Sequence, residues 1–263
     1  MRISITDIIK QSLLLYHTHT KKLLALVILA FIPGALQTIG AIILGLFIPD
    51  VWTIGVFGIS FLIYLILSIA LSLVTFWVTM TLARVLSKLY TGQATSSTTE
   101  EIRSAKHIVW PALGVSILSG LAVLGGTLLL VVPGIIFGLW FAFAVYETAI
   151  DGTRPLEAMR MSKQLVDGRL MAVLWRLLVP GLLFGVVMVV FQYIANIPLD
   201  FILNNTDTQS FLFVTWSILA TLISSLLTML FLPLTTSITI ILYTELKNHP
   251  LTESIDPPAV LQA

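Results

Sequence analysis

Lys and Arg in this chain fall on only one side of a series of long apolar runs. There are six such runs, and the connections between them alternate between basic and free of basic residues. The segment before the first run holds Arg2, Lys10, Lys21 and Lys22. The second connection holds Arg84, Lys88, Arg103 and Lys106, and the fourth holds Arg154, Arg160, Lys163 and Arg169. Arg176 lies just inside the fifth run and Lys247 follows the sixth. The charged residues of the other connections are Asp50, Asp200 and Asp207. Membrane chains keep Lys and Arg in their cytoplasmic connections. The pattern therefore predicts an all-α fold: a polytopic membrane helix bundle of six transmembrane helices with both termini cytoplasmic.

Composition supports that class. The chain is 57% hydrophobic and 10% charged, against about 25% charged residues in soluble domains. A helix needs roughly 20 apolar residues to cross the hydrocarbon core, and the runs are long enough. A membrane β-barrel would alternate apolar and polar residues, and these runs do not alternate. Spans are expected at about 23–48, 53–84, 108–131, 134–150, 170–195 and 211–244. Together they form one membrane domain, 1–247, followed by a flexible cytoplasmic tail, 248–263. The first run, starting near Leu23, is too long for the apolar core of a signal peptide. Two runs exceed a span: residues 51–86 would reach about 54 Å as a helix and 211–246 are similar. Each must tilt or run on past the bilayer. The short fourth span follows Val131-Val132-Pro133-Gly134, which reads as the tight external turn of a hairpin.

The basic connections carry short amphipathic helices. Ser4 with Asp7, and Ser97 with Glu100, have capping-box spacing. A third helix begins near Pro155, where a missing N–H costs nothing, and stops at Gly168. Such helices either lie at the interface, basic side toward anionic head groups, or simply cap the bundle. Spans one and five are alike: Leu23–Gly34 reads LLALVILAFIPG and Leu170–Gly181 reads LMAVLWRLLVPG. Spans two and six share Leu71, Leu73 and Thr75 with Leu232, Leu234 and Thr236. The result is a parallel repeat. Its Pro33-Gly34 and Pro180-Gly181 lie about ten residues into their spans, near the midplane. Paired breaks of this kind can mark a transport site, although Pro and Gly are common in membrane helices anyway. Gly134 with Gly138 and Gly181 with Gly185 have the spacing that lets helix backbones approach, within one chain or in a homo-oligomer.

Chemistry is harder to find. Ionisable groups deep in a membrane are usually functional, and none lies near a midplane here. Glu147 and Glu245 fall at cytoplasmic span ends; Arg176 could snorkel or pair with either. Hydroxyls such as Thr75, Thr79, Thr81, Thr235 and Ser237 could line a pore, but more often bond back to helix carbonyls. His17, His19, His107 and His249 form no metal-ligand spacing, and Cys is absent, so no catalytic, cofactor or metal residue is nominated. A net charge of +1 implies no nucleic-acid partner.

The stretch from Val131 to Arg169, with its Pro133-Gly134 turn, Glu157-Ala158, Ser162 and Gly168-Arg169, resembles the glycerophosphoryl diester phosphodiesterase membrane-domain family and the similar YciC-like bacterial inner-membrane proteins. The resemblance implies a six-span module of a bacterial plasma membrane. In some relatives the module is fused to a soluble domain that performs the hydrolysis, and this chain has no room for one, so it implies no activity here. Ala158 and Ser162 would form a small face for tight helix packing. The expected function is non-enzymatic: organising membrane lipids, or a membrane or peripheral protein partner, through Arg154, Arg160, Lys163, Arg169 and Arg176. The alternative is a permease or channel for a neutral or amphiphilic solute, with a polar cavity between spans one, two, five and six.

Overall fold

A computed structural model of the protein describes residues 3–47, 54–204 and 211–250. Among the described residues every regular element is helical. In chain order they are α1 (Ile5–Thr18), α2 (Thr20–Phe47), α3 (Ile54–Tyr90), α4 (Thr98–Ala105), α5 (Val109–Leu129), α6 (Val131–Trp140), α7 (Ala144–Asp151), α8 (Pro155–Val166), α9 (Leu170–Asn204) and α10 (Phe211–Asn248). Six stretches are long and apolar enough to cross a membrane: Thr20–Leu44, Gly58–Tyr90, Thr98–Leu129, Val131–Asp151, Leu170–Ile197 and Val214–Asn248. The protein is an all-α membrane bundle, with α1, α4 and α8 as the short helices at its basic end.

Local chemistry sets the ends of those short helices. Ser4 and Ser97 each accept from the N–H three residues on, and Asp7 and Glu100 return the bond to the cap N–H. The Ser4 hydroxyl and N–H hold the Asp7 carboxyl below its usual range. Pro155 opens α8 after an extended Arg154, and Gly168, at φ +75°, turns the chain into α9.

The two overlong runs continue as single helices. α3 has 37 residues and α10 has 38, each about 55 Å long. α9 likewise passes the expected end at residue 195. Hairpins α2–α3 and α9–α10 have the same order and sense, and α10 lies centrally against α9, α2, α1 and α3. Helices α5 to α8 form a flanking group, with α7 packed on α3, α5 and α8.

The parallel repeat has a counterpart in contacts. Gln37 Nε2 donates to the Ser68 carbonyl at 2.6 Å and lies 2.8 Å from Ser72 Oγ. Gln192 Nε2 donates to the Ser224 carbonyl at 3.4 Å and to Thr228 Oγ1 at 2.8 Å. Each hairpin is thus clasped by one Gln reaching a carbonyl and the hydroxyl four residues later.

Burial is concentrated toward the basic end. Leu23, Leu26, Ala30, Val78, Leu82, Leu86 and Ile240 form one apolar cluster. Val173, Phe184, Leu234, Ile238, Ile241 and Leu246 belong to another. No described residue in 34–44, 58–77, 185–197 or 214–232 is buried. These far halves present Leu, Ile, Val and Phe outward, which lipid tails solvate as well as protein does.

One expectation is corrected. The fourth span is not one short helix over 134–150 behind a Pro-Gly turn. Its turn is the single extended residue Leu130, Pro133 and Gly134 sit in the first turns of α6, and the helix is interrupted at Phe141–Phe143. The Ser162 hydroxyl spans that interruption, donating to the Trp140 carbonyl at 2.6 Å and accepting from the Phe143 N–H at 3.2 Å. Pro33 and Pro180, by contrast, are buried within helices that run on through them.

Candidate functional site at the basic end of the bundle

Polar chemistry gathers where α7, α8 and α10 meet. Glu147 and Asp151 stand one turn apart on α7, and Tyr243 and Lys247 stand one turn apart on α10. The Tyr243 hydroxyl lies 2.5 Å from both Glu147 Oε2 and Asp151 Oδ2, and its single hydrogen serves one carboxylate at a time. Lys247 Nζ sits 2.7 Å from Asp151 Oδ2 and donates to the Tyr243 oxygen at 3.2 Å. It stands 3.5 Å from Glu147 Oε1, and that oxygen has no hydrogen-bond partner. The Glu147 side chain is 1% exposed, against 39% for Lys247. A carboxylate so far from water is tolerable only with a cation and donors beside it. Lys247 and Tyr243, both on α10, supply them.

A cavity of about 450 Å³ opens beside this cluster. Its polar wall is Glu147, Gln164, Asp167, Arg169 and Lys247, and Met161, Leu165 and Pro250 form its apolar wall. Arg169 is committed elsewhere. Its guanidinium donates to the Leu165, His249 and Leu246 carbonyls at 2.8, 2.9 and 3.3 Å, closing the ends of α8 and α10. Burial draws its pKa below the usual value.

A second buried acid, Glu101, is 1% exposed. Lys88 donates to both its oxygens at 2.9 and 2.8 Å, and the Ser96 N–H to Oε1 at 3.0 Å, joining α4 to α3. Tyr90 donates toward Glu245 at 3.2 Å, tying α3 to α10.

The nominated basic residues separate into two kinds. Arg154 and Arg160 are exposed. Lys163 lies over the Trp140 ring, 4.2 Å from its centroid. Arg169 and Arg176 are structural. Arg176 meets neither Glu147 nor Glu245; it donates to the Ile3 and Ala172 carbonyls at 3.0 and 3.2 Å, pinning the segment before α1 to α9. On the opposite side of α8, Ala158, Ser162 and Val166 are fully buried.

The small residues also separate. Gly126 and Gly134 sit at a close crossing of α5 and α6, where a Cβ on Gly134 would stand 2.2 Å from Thr127 Oγ1. Among the described residues outside its own helix turn, a Cβ on Gly34 would reach Met229 alone, at 3.9 Å, and one on Gly138, Gly181 or Gly185 would meet nothing within 4 Å. The hydroxyls of Thr75, Thr79, Thr81 and Ser237 bond back to carbonyls four residues earlier.

Sequence reasoning placed Glu147 at a span end without seeing its partners. The available signal was an acid pair and a Tyr-Lys pair, each at i, i+4, at the ends of spans four and six. Among the described residues no group of three His, Asp or Glu is placed to hold a metal ion.

No curated protein and no solved structure matches the chain. A domain family of unknown function, DUF7847, matches residues 105–246, which include α5 to α9 and nearly all of α10. The match takes in both carboxylates of the cavity cluster and Tyr243, over more than half of the chain. On that footing the chain belongs to the DUF7847 family.

Proposed function

We propose that the chain is a non-enzymatic module of a bacterial plasma membrane, with both termini in the cytoplasm, whose basic end gathers anionic lipid head groups. The observation that carries this reading is α8. One side of it is buried through Ala158, Ser162 and Val166, Arg160 stands exposed off that side, and Arg154, the extended residue just before the helix, is exposed as well. Lys10 and Lys21 are also exposed at this end. Each basic residue near an anionic surface contributes about 1 kcal/mol. The resemblance to the glycerophosphoryl diester phosphodiesterase membrane-domain family fits, because hydrolysis there belongs to a separate soluble domain. A peripheral partner with an acidic face could use the same residues.

The transport reading is less well supported. It needs a polar path between α2, α3, α9 and α10, and the basic half of that interface is filled by Leu23, Leu26, Leu82, Leu86, Ile240 and Ile241.

The test is phosphatidylglycerol retention by the purified protein, measured by mass spectrometry against phosphatidylcholine. Arg154→Gln with Arg160→Gln is expected to weaken retention about 30-fold, from two contributions of about 1 kcal/mol. Unchanged retention would remove the proposal. Orientation is checked separately in the same cells. A Cys placed at Asn205 in this Cys-free chain should react with an impermeant maleimide from outside, and reaction only after lysis would reverse the topology.

A further inference from the structure

We propose that the cavity between α7, α8 and the end of α10 is a binding site for a primary ammonium group. It stands apart from the lipid reading above, which concerns phosphate groups on the outward side of α8. The argument is a count of unmet hydrogen-bonding capacity. The two cations in the cavity wall are already engaged. Arg169 gives three of its five N–H donors to backbone carbonyls, and Lys247 is held by Asp151 and Tyr243 and stands 3.5 Å from Glu147 Oε1. On the acid side, acceptor capacity remains open. Glu147 Oε1 is buried in the wall with no hydrogen-bond partner, and Asp167 is exposed at the same cavity. A buried acceptor left unmet is costly, so the ligand that fits brings N–H donors and positive charge.

The rest of the wall narrows the class. Met161, Leu165 and Pro250 offer apolar surface to a short carbon chain, and Gln164 adds an amide. The point on which Glu147 and Asp151 converge is already taken by the Tyr243 hydroxyl, and among the described residues no three His, Asp or Glu are grouped to hold a metal ion. That favours one organic ammonium over a metal ion. A primary ammonium has three N–H donors in a small volume. A quaternary one has none, so it could satisfy Glu147 by charge alone. The ammonium could belong to an aminolipid head group reaching the cavity from the membrane, or to a soluble amine.

The full-length protein in detergent is titrated calorimetrically with ethanolamine and with choline. It is also placed in nanodiscs of phosphatidylethanolamine or phosphatidylcholine at a constant phosphatidylglycerol fraction, and lipid carried through purification is quantified. Ethanolamine or phosphatidylethanolamine is expected to bind at least 10-fold more tightly than its choline counterpart, and Glu147→Gln is expected to weaken it a further 10- to 100-fold, the range for one charge-assisted hydrogen bond. Selectivity in the nanodiscs alone assigns the ammonium to a lipid; selectivity in free solution assigns it to a soluble amine. Should Glu147→Gln fail to fold, Asp167→Asn, at an exposed position, makes the same comparison, with a several-fold loss expected. Equal binding of primary and quaternary forms, no binding of either, or full affinity in a folded Glu147→Gln protein overturns the proposal. Loss of phosphatidylglycerol retention in the Arg154 and Arg160 variant leaves this result untouched, so the two readings fail separately.

Discussion

Replacing Lys247 with Met lowers the stability of the folded bundle by about 3 kcal/mol. The estimate follows from which partner loses more. Removing one member of a buried ion pair costs about 3–5 kcal/mol because the other charge is left uncompensated. Lys247 is itself 39% exposed, so water already shares its ammonium and the lower end of that range applies. Glu147 is 1% exposed and has no such recourse. Without Lys247, two carboxylates would share the single hydrogen of Tyr243. The measurement is unfolding of the detergent-solubilised protein against added denaturing detergent. The double variant Glu147→Gln with Lys247→Met should be markedly less destabilised than the sum of the two single changes, because each removes the reason the other matters. A Lys247→Met protein within about 0.5 kcal/mol of the parent, the range of an ordinary surface change, would mean that the α7–α10 cluster does not carry its charges as described.

The same cluster shows what could and could not be read from the chain. Span number, short helices and caps rest on local rules: run length, Ser-x-x-acid spacing, Pro at a first turn and Gly at a stop. Each reappears in the structure at the residues that carry it, Ser4 and Ser97 among them. The Thr and Ser hydroxyls of α3 and α10 bond within their own helices, which is also a local matter. Partner choice is not local. Chain position leaves Arg176 to pair with Glu147 or Glu245 or to snorkel, but both acids are taken, by Tyr243 and Lys247 in one case and Tyr90 in the other. A free carbonyl at Ile3, 173 residues away, took the guanidinium instead. The interruption at Phe141–Phe143 is the clearest case. Those residues are apolar, with no Gly or Pro, and carry no signal of a break. The break is tolerable because its backbone groups meet Ser162, which lies on α8. In lipid an unmet backbone group costs several kcal/mol, so the break and the hydroxyl must arise together. Pro33 and Pro180 are the converse case: residue type leaves a break and simple packing both open, and each is buried in a helix that continues through it.

Among the small residues, Gly134→Ala should be the damaging change, by about 3 kcal/mol, whereas Gly138→Ala, Gly181→Ala and Gly185→Ala should each stabilise by about 0.5–1 kcal/mol. All four glycines are helical, so intrinsic propensity favours Ala at every one of them by that amount. Space decides the sign. At Gly134 the added carbon would meet Thr127 Oγ1 at 2.2 Å and Thr127 Cα at 3.0 Å. The hydroxyl is held by its bond to the Val123 carbonyl, and the Cα cannot move without displacing α5. Forcing an extra methyl into such a contact typically costs 1–3 kcal/mol, and a contact with backbone belongs at the upper end. Combining Gly134→Ala with Thr127→Ala should recover only part of the loss, since the contact with Cα persists. Full recovery would place the clash in the side chain alone, and a neutral Gly134→Ala would mean that α5 and α6 do not cross this closely. The three open glycines carry the complementary information. Among the described residues, and apart from the helix's own nearby backbone, nothing lies within 4 Å of a Cβ built on them, so a methyl there has only lipid to displace. If Gly181→Ala or Gly185→Ala instead destabilises the protein, a second copy of the chain must cover that face of α9, and the loss should deepen as the protein concentration in the micelle rises.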